Sequence, residues 1–416
     1  MNLLNRQKVH VQKLTASLRV RRLMFDLSPT GTGKTICALS VAARLKLKPV
    51  VICPLAAIPG WQRHADALGL DLTIVNYESV LKSRGFVSAS KIAIAKDSLV
   101  IYDEAHKCKN HSTQNAKTMV RIARAGYKIL ALSATIAHSA EHLRAWNEAF
   151  RLTNDYSFSG FMYRCGYYYE KNKWGGTWLP QPQALEKTAS VLAPWSSAMT
   201  LEGLPDVSLF VEVVKTKEDA ELSKLYETTF KKLRAGDKQK GDHLVEILRV
   251  RQASERTKVA YLNEQIRELI DEGRSVIVFC NFNDSIDLLA AELKEFQPAQ
   301  IHGGQNARVR EVERLKFQQN KTPVILCNLQ SGGVALDLHD LHGRPRFSFI
   351  LPSWSAVDLK QAIGRTRRTG ALSKAVCRIL YSDVPAERRL AEIVESKIEA
   401  LDTLHDSETD FTRLAV

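Results

Sequence analysis

Three places in the chain carry residues suited to chemistry. At 28–35 the run SPTGTGKT lies between an apolar stretch, Leu23 to Leu27, and a helical apolar pattern, Ile36 to Ala42. A strand that enters a glycine-rich turn and leaves as a helix presents backbone N–H groups and a partly positive helix end, which together cradle phosphate. The N–H groups of Gly31, Thr32 and Gly33 are expected to point inward, Lys34 to reach the β- and γ-phosphates of ATP, and the Thr35 hydroxyl to hold Mg2+. At 103–104 an acidic pair follows the apolar run Ser98 to Tyr102. Phosphoryl transfer needs metal charge and an oriented nucleophile, so Asp103 is assigned to Mg2+ and Glu104 to the attacking water. Arg365 and Arg368, three apart, are expected on one helical face, from which both guanidinium groups can enter one cleft. Gln12, 19 residues before Gly31, offers an amide donor and acceptor to an adenine edge, or is a solvated surface residue.

Positioning these residues requires strands that end where they stand. The runs 23–27, 49–53, 72–75, 98–102 and 129–132 are short, apolar and separated by helical patterns, which predicts a doubly wound, mostly parallel sheet. In such sheets function collects at the carboxyl ends of the strands. Residues 8–22 read as an amphipathic helix through Val9, Leu14, Leu18 and Leu23, and a helix is expected near Trp61. Nine of the chain's 31 aromatics fall within 156–178, interleaved with Arg164, Lys171 and Lys173; they suit stacking on bases, or docking of an insertion onto the sheet. Residues 218–272 read as a charged helical connector with a turn at 235–241. A second α/β pattern follows, with strands at 275–280, 323–327 and 347–351 and no second phosphate loop.

Length and composition fit this division. A chain of 416 residues, 45% apolar and 25% charged, is globular and large enough for two or three domains. Seven cysteines without a Cys-x-x-Cys pair argue against a disulfide framework and a structural zinc, and for a reducing compartment. His138 and His142, four apart, lack the glutamate and cysteine company of a metal site. No stretch has a signal-peptide pattern or membrane-spanning length, so no membrane partner and a cytoplasmic location are expected. The net charge of +14 is concentrated in residues 1–150, which hold 22 Lys and Arg against 9 Asp and Glu. That asymmetry points to a polyanionic partner.

The ordered set SPTGTGKT, VICPLAAIPGW, NYES, DEAHKCKN, LSAT, VIVFCN, IHGG, SGGVALDL and QAIGRTRRTG resembles the superfamily 2 helicases, and among them most resembles the Swi/Snf-type DNA translocases, over residues 10–372. Most specific are Lys107, Lys109-Asn110, the Pro54 to Trp61 segment, Asn76-Tyr77-Glu78, and Trp354 seven residues before Gln361. The resemblance implies two RecA-like doubly wound parallel-sheet lobes, at 1–150 and 255–416, with an aromatic insertion and helical connector at 151–254. It implies Lys34, Glu104, Gln361, Arg365 and Arg368 as catalytic residues, the arginines acting from the second lobe. Ser133 and Thr135 would couple hydrolysis to DNA grip, with His106 a bridge between the ATP site and the second lobe. Backbone contacts to nucleic acid are expected from Pro54, Asn76, Tyr77, Asn281, His302, Gly303 and Ser331, positions that track phosphates rather than sequence. Three departures stand out: Ser133-Ala134-Thr135 where Swi/Snf-type proteins usually have Thr-Gly-Thr, Ala335 and Asp337 in place of glycine and asparagine, and Ser355-Ala356 in place of Asn-Pro.

The function so implied is ATP-dependent translocation on double-stranded DNA, with remodelling or reannealing. Alternatives are a strand-separating helicase on single-stranded DNA or RNA, and an ATP-gated clamp or motor subunit for a separate nuclease or methyltransferase. Polarity, DNA structure, host and protein partners are not written in the sequence; if the chain is phage-encoded, its location is the host cytoplasm.

Overall fold

The computed structural model describes every residue except 1–2, 83–92, 138, 154, 156, 173–174, 200–206, 236–239, 330–335, 369, 406–411 and 415–416. The chain divides into two units, Met1–Glu202 with Glu399–Thr409, and Gly203–Ile398 with Asp410–Val416. Ser331, Ala335, His138 and most of the 235–241 turn therefore lie outside the described residues.

The first unit is built on six parallel strands: β1 Leu23–Asp26, β2 Lys48–Cys53, β3 Thr73–Asn76, β4 Ser98–Asp103, β5 Lys128–Leu132 and, after an antiparallel hairpin of β6 Tyr167–Asn172 and β7 Gly175–Pro180, β8 Ser196–Ser197. Their spatial order is β3-β2-β4-β5-β1-β8. Successive strand residues feed opposite faces. Val50, Ile52, Val100, Tyr102, Ile129 and Ala131 join one core; Val51, Cys53, Leu99, Ile101, Leu130 and Leu132 join the other. Burial on both faces is why these strands read as unbroken apolar runs.

The second core is covered by α1 Asn5–Val20, α2 Lys34–Leu45 and α3 Ile58–Leu68. Helix α1 starts three residues earlier than the pattern predicts, and its buried side is Gln7, His10, Val11, Leu14, Thr15 and Leu18. Val9, expected on that side, is 68% exposed, and Leu23 belongs to β1. Polar residues extend the apolar stripe of Val11, Leu14 and Leu18 here because Gln7 and His10 have partners beneath the phosphate loop.

Residues 151–254 divide between the units rather than forming one segment. Phe161, Met162, Cys165, Tyr167, Ala184 and Leu192 share the core of the first sheet, with Phe158, Trp178 and Trp195 packed against it. These aromatics dock. Tyr163, Tyr168 and Tyr169 remain 58%, 43% and 42% exposed. The Tyr169 ring lies over Gly176, where a Cβ would meet its hydroxyl at 2.5 Å, and both Tyr163 and Tyr169 pack on Trp178 with ring centroids 5.2 Å apart.

The second unit has β9 Val207–Val214, three helices at Asp219–Ala235, Lys240–Thr257 and Val259–Asp271, then β10 Ser275–Cys280, β11 Ala299–Ile301, β12 Val324–Asn328, β13 Arg346–Ile350, β14 Ala375–Ser382 and β15 Thr412–Leu414. All pairs are parallel, in the order β11-β12-β10-β13-β14-β9-β15. The α/β class expected of both sheets is thus the class observed. A buried pair, Lys258 with Glu387 at 3.1 Å, ties the connector to the C-terminal helix Pro385–His405. All seven cysteines are free and buried, and burial pushes the Cys37 thiol up to about 12.

Candidate nucleotide site and nucleic-acid interface

The loop between β1 and α2 has Gly31 at φ 87° and Gly33 at φ 90°, left-handed positions that suit glycine. Gly33 precedes the first residue of α2, so the N–H groups that open this helix face the loop. The Lys34 ammonium donates to the carbonyls of Ser28 at 2.7 Å and Pro29 at 3.1 Å, and Thr32 Oγ1 donates to Pro29 O at 2.8 Å. Thr35, in the first turn of α2, is half-buried. Ser28, which occupies a position where phosphate loops can carry glycine, is fully buried: its N–H donates to Asp26 Oδ1 at 3.0 Å, and its hydroxyl accepts the Met199 N–H at 2.9 Å.

Beneath the loop lies a polar layer that sequence reading missed. Asp26, completely buried at the end of β1, meets His10 Nε2 at 3.1 Å, and His10 Nδ1 lies 3.2 Å from Ser197 Oγ. Burial works to raise the Asp26 carboxyl, but the hydrogen bond and charge of His10, the Lys34 charge and the Ser28 hydrogen bond outweigh it, so its pKa is lowered. The glutamine on the loop is Gln7, whose Nε2 donates to Thr32 O at 2.9 Å and whose Oε1 accepts the Leu4 N–H. Gln12 is on the solvent side of α1. The spacing of Gln7 from Val11, Leu14 and Leu18 puts it on the buried face, which is the signal that could have singled it out.

Asp103 closes β4, and its carboxylate accepts the Trp61 indole N–H at 2.8 Å and the Glu104 N–H at 3.1 Å. Burial and the Glu104 charge, opposed by the Trp61 hydrogen bond and Lys34, push Asp103 up to about 6. Glu104 adopts φ 54°, ψ 51°, an uncommon left-handed conformation for a side chain of this size. Its carboxylate lies 3.3 Å from His106 Nδ1, which is also 3.3 Å from Ser133 Oγ; that hydroxyl in turn accepts the Thr135 N–H at 3.1 Å. The three residues expected to couple therefore form one chain with Glu104, and every contact in that chain lies within the first unit.

The expected nucleic-acid residues fall at strand exits, with unequal access. Pro54 follows β2 and is buried, although the adjoining Leu55 is 60% exposed. Asn76 ends β3, where its side chain accepts the Ser79 N–H. Tyr77 is not a surface contact: it is 3% exposed and its hydroxyl donates to Asp103 O at 2.8 Å, because the helix starting at Tyr77 turns the ring inward. In the second unit, Asn281 follows β10 and its amide is taken up by Glu255 and Pro352 O. His302 is half-buried and Gly303 exposed after β11, and Arg310 donates to Gly303 O.

Gln361 and Arg365 are 4% and 3% exposed. The helix Ala356–Ile363 ends before Arg365, so the two arginines do not share a helical face. They converge through a turn instead: Arg365 and Arg368 both donate to Leu336 O, Arg368 meets Asp337 at 2.9 Å, and the Leu338 N–H donates to Arg365 O at 3.1 Å. Burial works to raise the Asp337 carboxyl, but the charges of Arg368, Arg365, His339 and Arg314 outweigh it, so its pKa is lowered.

Comparison with known proteins finds likenesses over part or most of the chain. A protein of Acanthamoeba polyphaga mimivirus, carried under the provisional name ATP-dependent RNA helicase, is 26% identical over 97% of this chain and 84% of its own length. The Xenopus laevis SWI/SNF-related matrix-associated actin-dependent regulator of chromatin subfamily A-like protein 1 is 25% identical over 92% of this chain and 42% of its own, so the chain spans less than half of that relative. The Sulfolobus solfataricus SWI2/SNF2 ATPase core in complex with dsDNA aligns over 97% of this chain and 95% of its own at 18% identity, with a TM-score of 0.41. Residues 257–370 match the helicase conserved C-terminal domain. The second unit thus carries the match to the helicase conserved C-terminal domain, and over nearly its whole length the chain is similar to a helicase-related protein.

Proposed function

We propose that the chain is a Mg2+-dependent, DNA-stimulated ATPase that translocates on double-stranded DNA, most like the Swi/Snf-type ATPases, and remodels or reanneals it. The observation that carries the reading is a convergence at one end of the first sheet. The phosphate loop leaves β1, Asp103-Glu104 leave β4, and the Pro54–Trp61 and Asn76–Glu78 segments leave β2 and β3. The name of the Xenopus relative, similar across 92% of this chain, supports the subfamily.

The donor set suits Mg2+, since this ion takes one or two protein oxygens and completes its shell with substrate phosphates and water. Thr35 and Asp103 would hold it, and a carboxyl pushed up to about 6 beside a second carboxylate is a place that favours a cation. Bound Mg2+ supplies positive charge to the β- and γ-phosphates. Lys34 and the loop N–H groups bind and orient the same phosphates. Glu104, turned by its left-handed backbone and steadied by His106, accepts the proton of the attacking water. Arg365 and Arg368 are proposed to donate charge to phosphoryl transfer.

Glu104→Gln tests the assignment: turnover is expected to fall at least ~100-fold while nucleotide and DNA still bind, and unchanged hydrolysis would overturn it. Strand separation on RNA or DNA is the second reading, favoured by Ser133-Ala134-Thr135 and by the name of the mimivirus relative. A tailed-duplex unwinding assay run beside triplex displacement separates the two. An ATP-gated clamp would show a hydrolysis rate independent of duplex length.

A further inference from the structure

The Asp103-Glu104 turn is held from two directions, and both holds come from segments expected at the nucleic acid. Trp61 is 1% exposed and donates its indole N–H to Asp103 Oδ2 at 2.8 Å. It lies in the first turn of α3, directly after the Pro54–Gly60 stretch that leaves β2. Tyr77, the residue after Asn76 at the end of β3, donates its hydroxyl to Asp103 O at 2.8 Å and lies 3.4 Å from Glu104 O. One tether sets the rotation of a carboxylate, and the other sets the peptide that carries Glu104 at φ 54°.

A buried donor to a half-buried carboxylate is at minimum a satisfied hydrogen bond. The pair does more than that minimum for a geometric reason. Outer partners of a metal-holding carboxylate fix its orientation, and their loss commonly costs ~10–100-fold in metal affinity or activity. Here the outer partners come from two different strand exits, so a shift at either exit reaches the same acid pair through a single buried ring. We propose that Trp61 and Tyr77 are positioning residues that transmit nucleic-acid engagement at the β2 and β3 exits to Asp103 and Glu104, raising hydrolysis when both segments are held. This rests on the DNA-stimulated reading above for its stimulus, but not for its geometry.

Tyr77→Phe removes only the O–H, whereas Trp61→Phe removes the indole N–H together with part of a buried ring; a cooperative melting transition of the full chain reports that each has folded. Trp61→Phe is expected to raise the Mg2+ concentration for half-saturation of nucleotide binding ~10-fold, read with a fluorescent non-hydrolysable ATP analogue. Both variants are expected to lower the stimulation factor by duplex DNA ~10-fold while DNA affinity holds. A folded Trp61→Phe with unchanged Mg2+ dependence overturns the proposal, as does full stimulation in both variants. Should the unaltered chain show no duplex stimulation, it is the function proposed above that fails, and the Mg2+ measurement still decides the tether. If Trp61→Phe does not fold, the stimulation factor of Tyr77→Phe decides.

Discussion

Asp103 at the end of β4 and Asp26 at the end of β1 are pushed in opposite directions. Asp103 is raised from an ordinary 3.8 to about 6, with burial the larger cause and Glu104 the second. A raised carboxyl favours the folded state in its protonated form; that contribution is full below 3.8 and is lost as pH climbs through about 6. The ionised form is the one that takes a cation, so hydrolysis is predicted to fall as pH drops through about 6, measured as kcat against pH. A flat profile from neutral pH to well below that value would remove Asp103 from the metal role. Asp26 is lowered, so its contribution is present above 3.8 and is lost only as pH falls beneath that. Gln7 gives a second test at this scale. Gln7→Ala deletes a buried donor to the phosphate loop and should weaken nucleotide binding by about 1–3 kcal/mol, measured by titration, whereas Gln12→Ala should leave it unchanged. The placement of Lys34, Asp103 and Glu104 at strand exits was legible in the sequence because the loop and the acid pair are each contiguous and preceded by apolar strands. The roles of Gln7, His10 and Asp26 were not, since their partners lie 25, 16 and 16 residues away in the chain.

Elements differ in the same way. The central strands were readable because burial on both faces leaves no room for polar residues. The end of the helix Ala356–Ile363 was not, because nothing between Gly364 and Arg368 forbids another helical turn; the turn is set by the Leu338 N–H donating to Arg365 O, a tertiary contact. The aromatic stretch left two accounts open, and docking holds for part of it: Phe161 and Tyr167 dock on the core, while Tyr163, Tyr168 and Tyr169 stay exposed. The buried Lys258–Glu387 pair was invisible, as the two are 129 residues apart. It offers an element-scale test. Removing one member strands the other charge in the interior, so Glu387→Ala is predicted to cost about 3–5 kcal/mol of stability by denaturant unfolding. A loss close to zero would mean that the connector is not anchored through this pair.

At the scale of the whole molecule, charge and motif order point the same way. The first unit carries most of the excess positive charge and also the strand exits proposed to meet the phosphate backbone. Binding to DNA should therefore weaken steeply with salt and vary little with sequence, whereas an affinity indifferent to salt would argue against a phosphate-tracking grip. The central claim is that ATP hydrolysis drives movement on a duplex. The most direct measurement is the hydrolysis rate of the full chain without nucleic acid and with duplex DNA, single-stranded DNA and RNA of graded length. The account predicts that duplex DNA stimulates most and that the rate rises with duplex length towards a plateau. No stimulation by duplex, or a rate indifferent to its length, would contradict it.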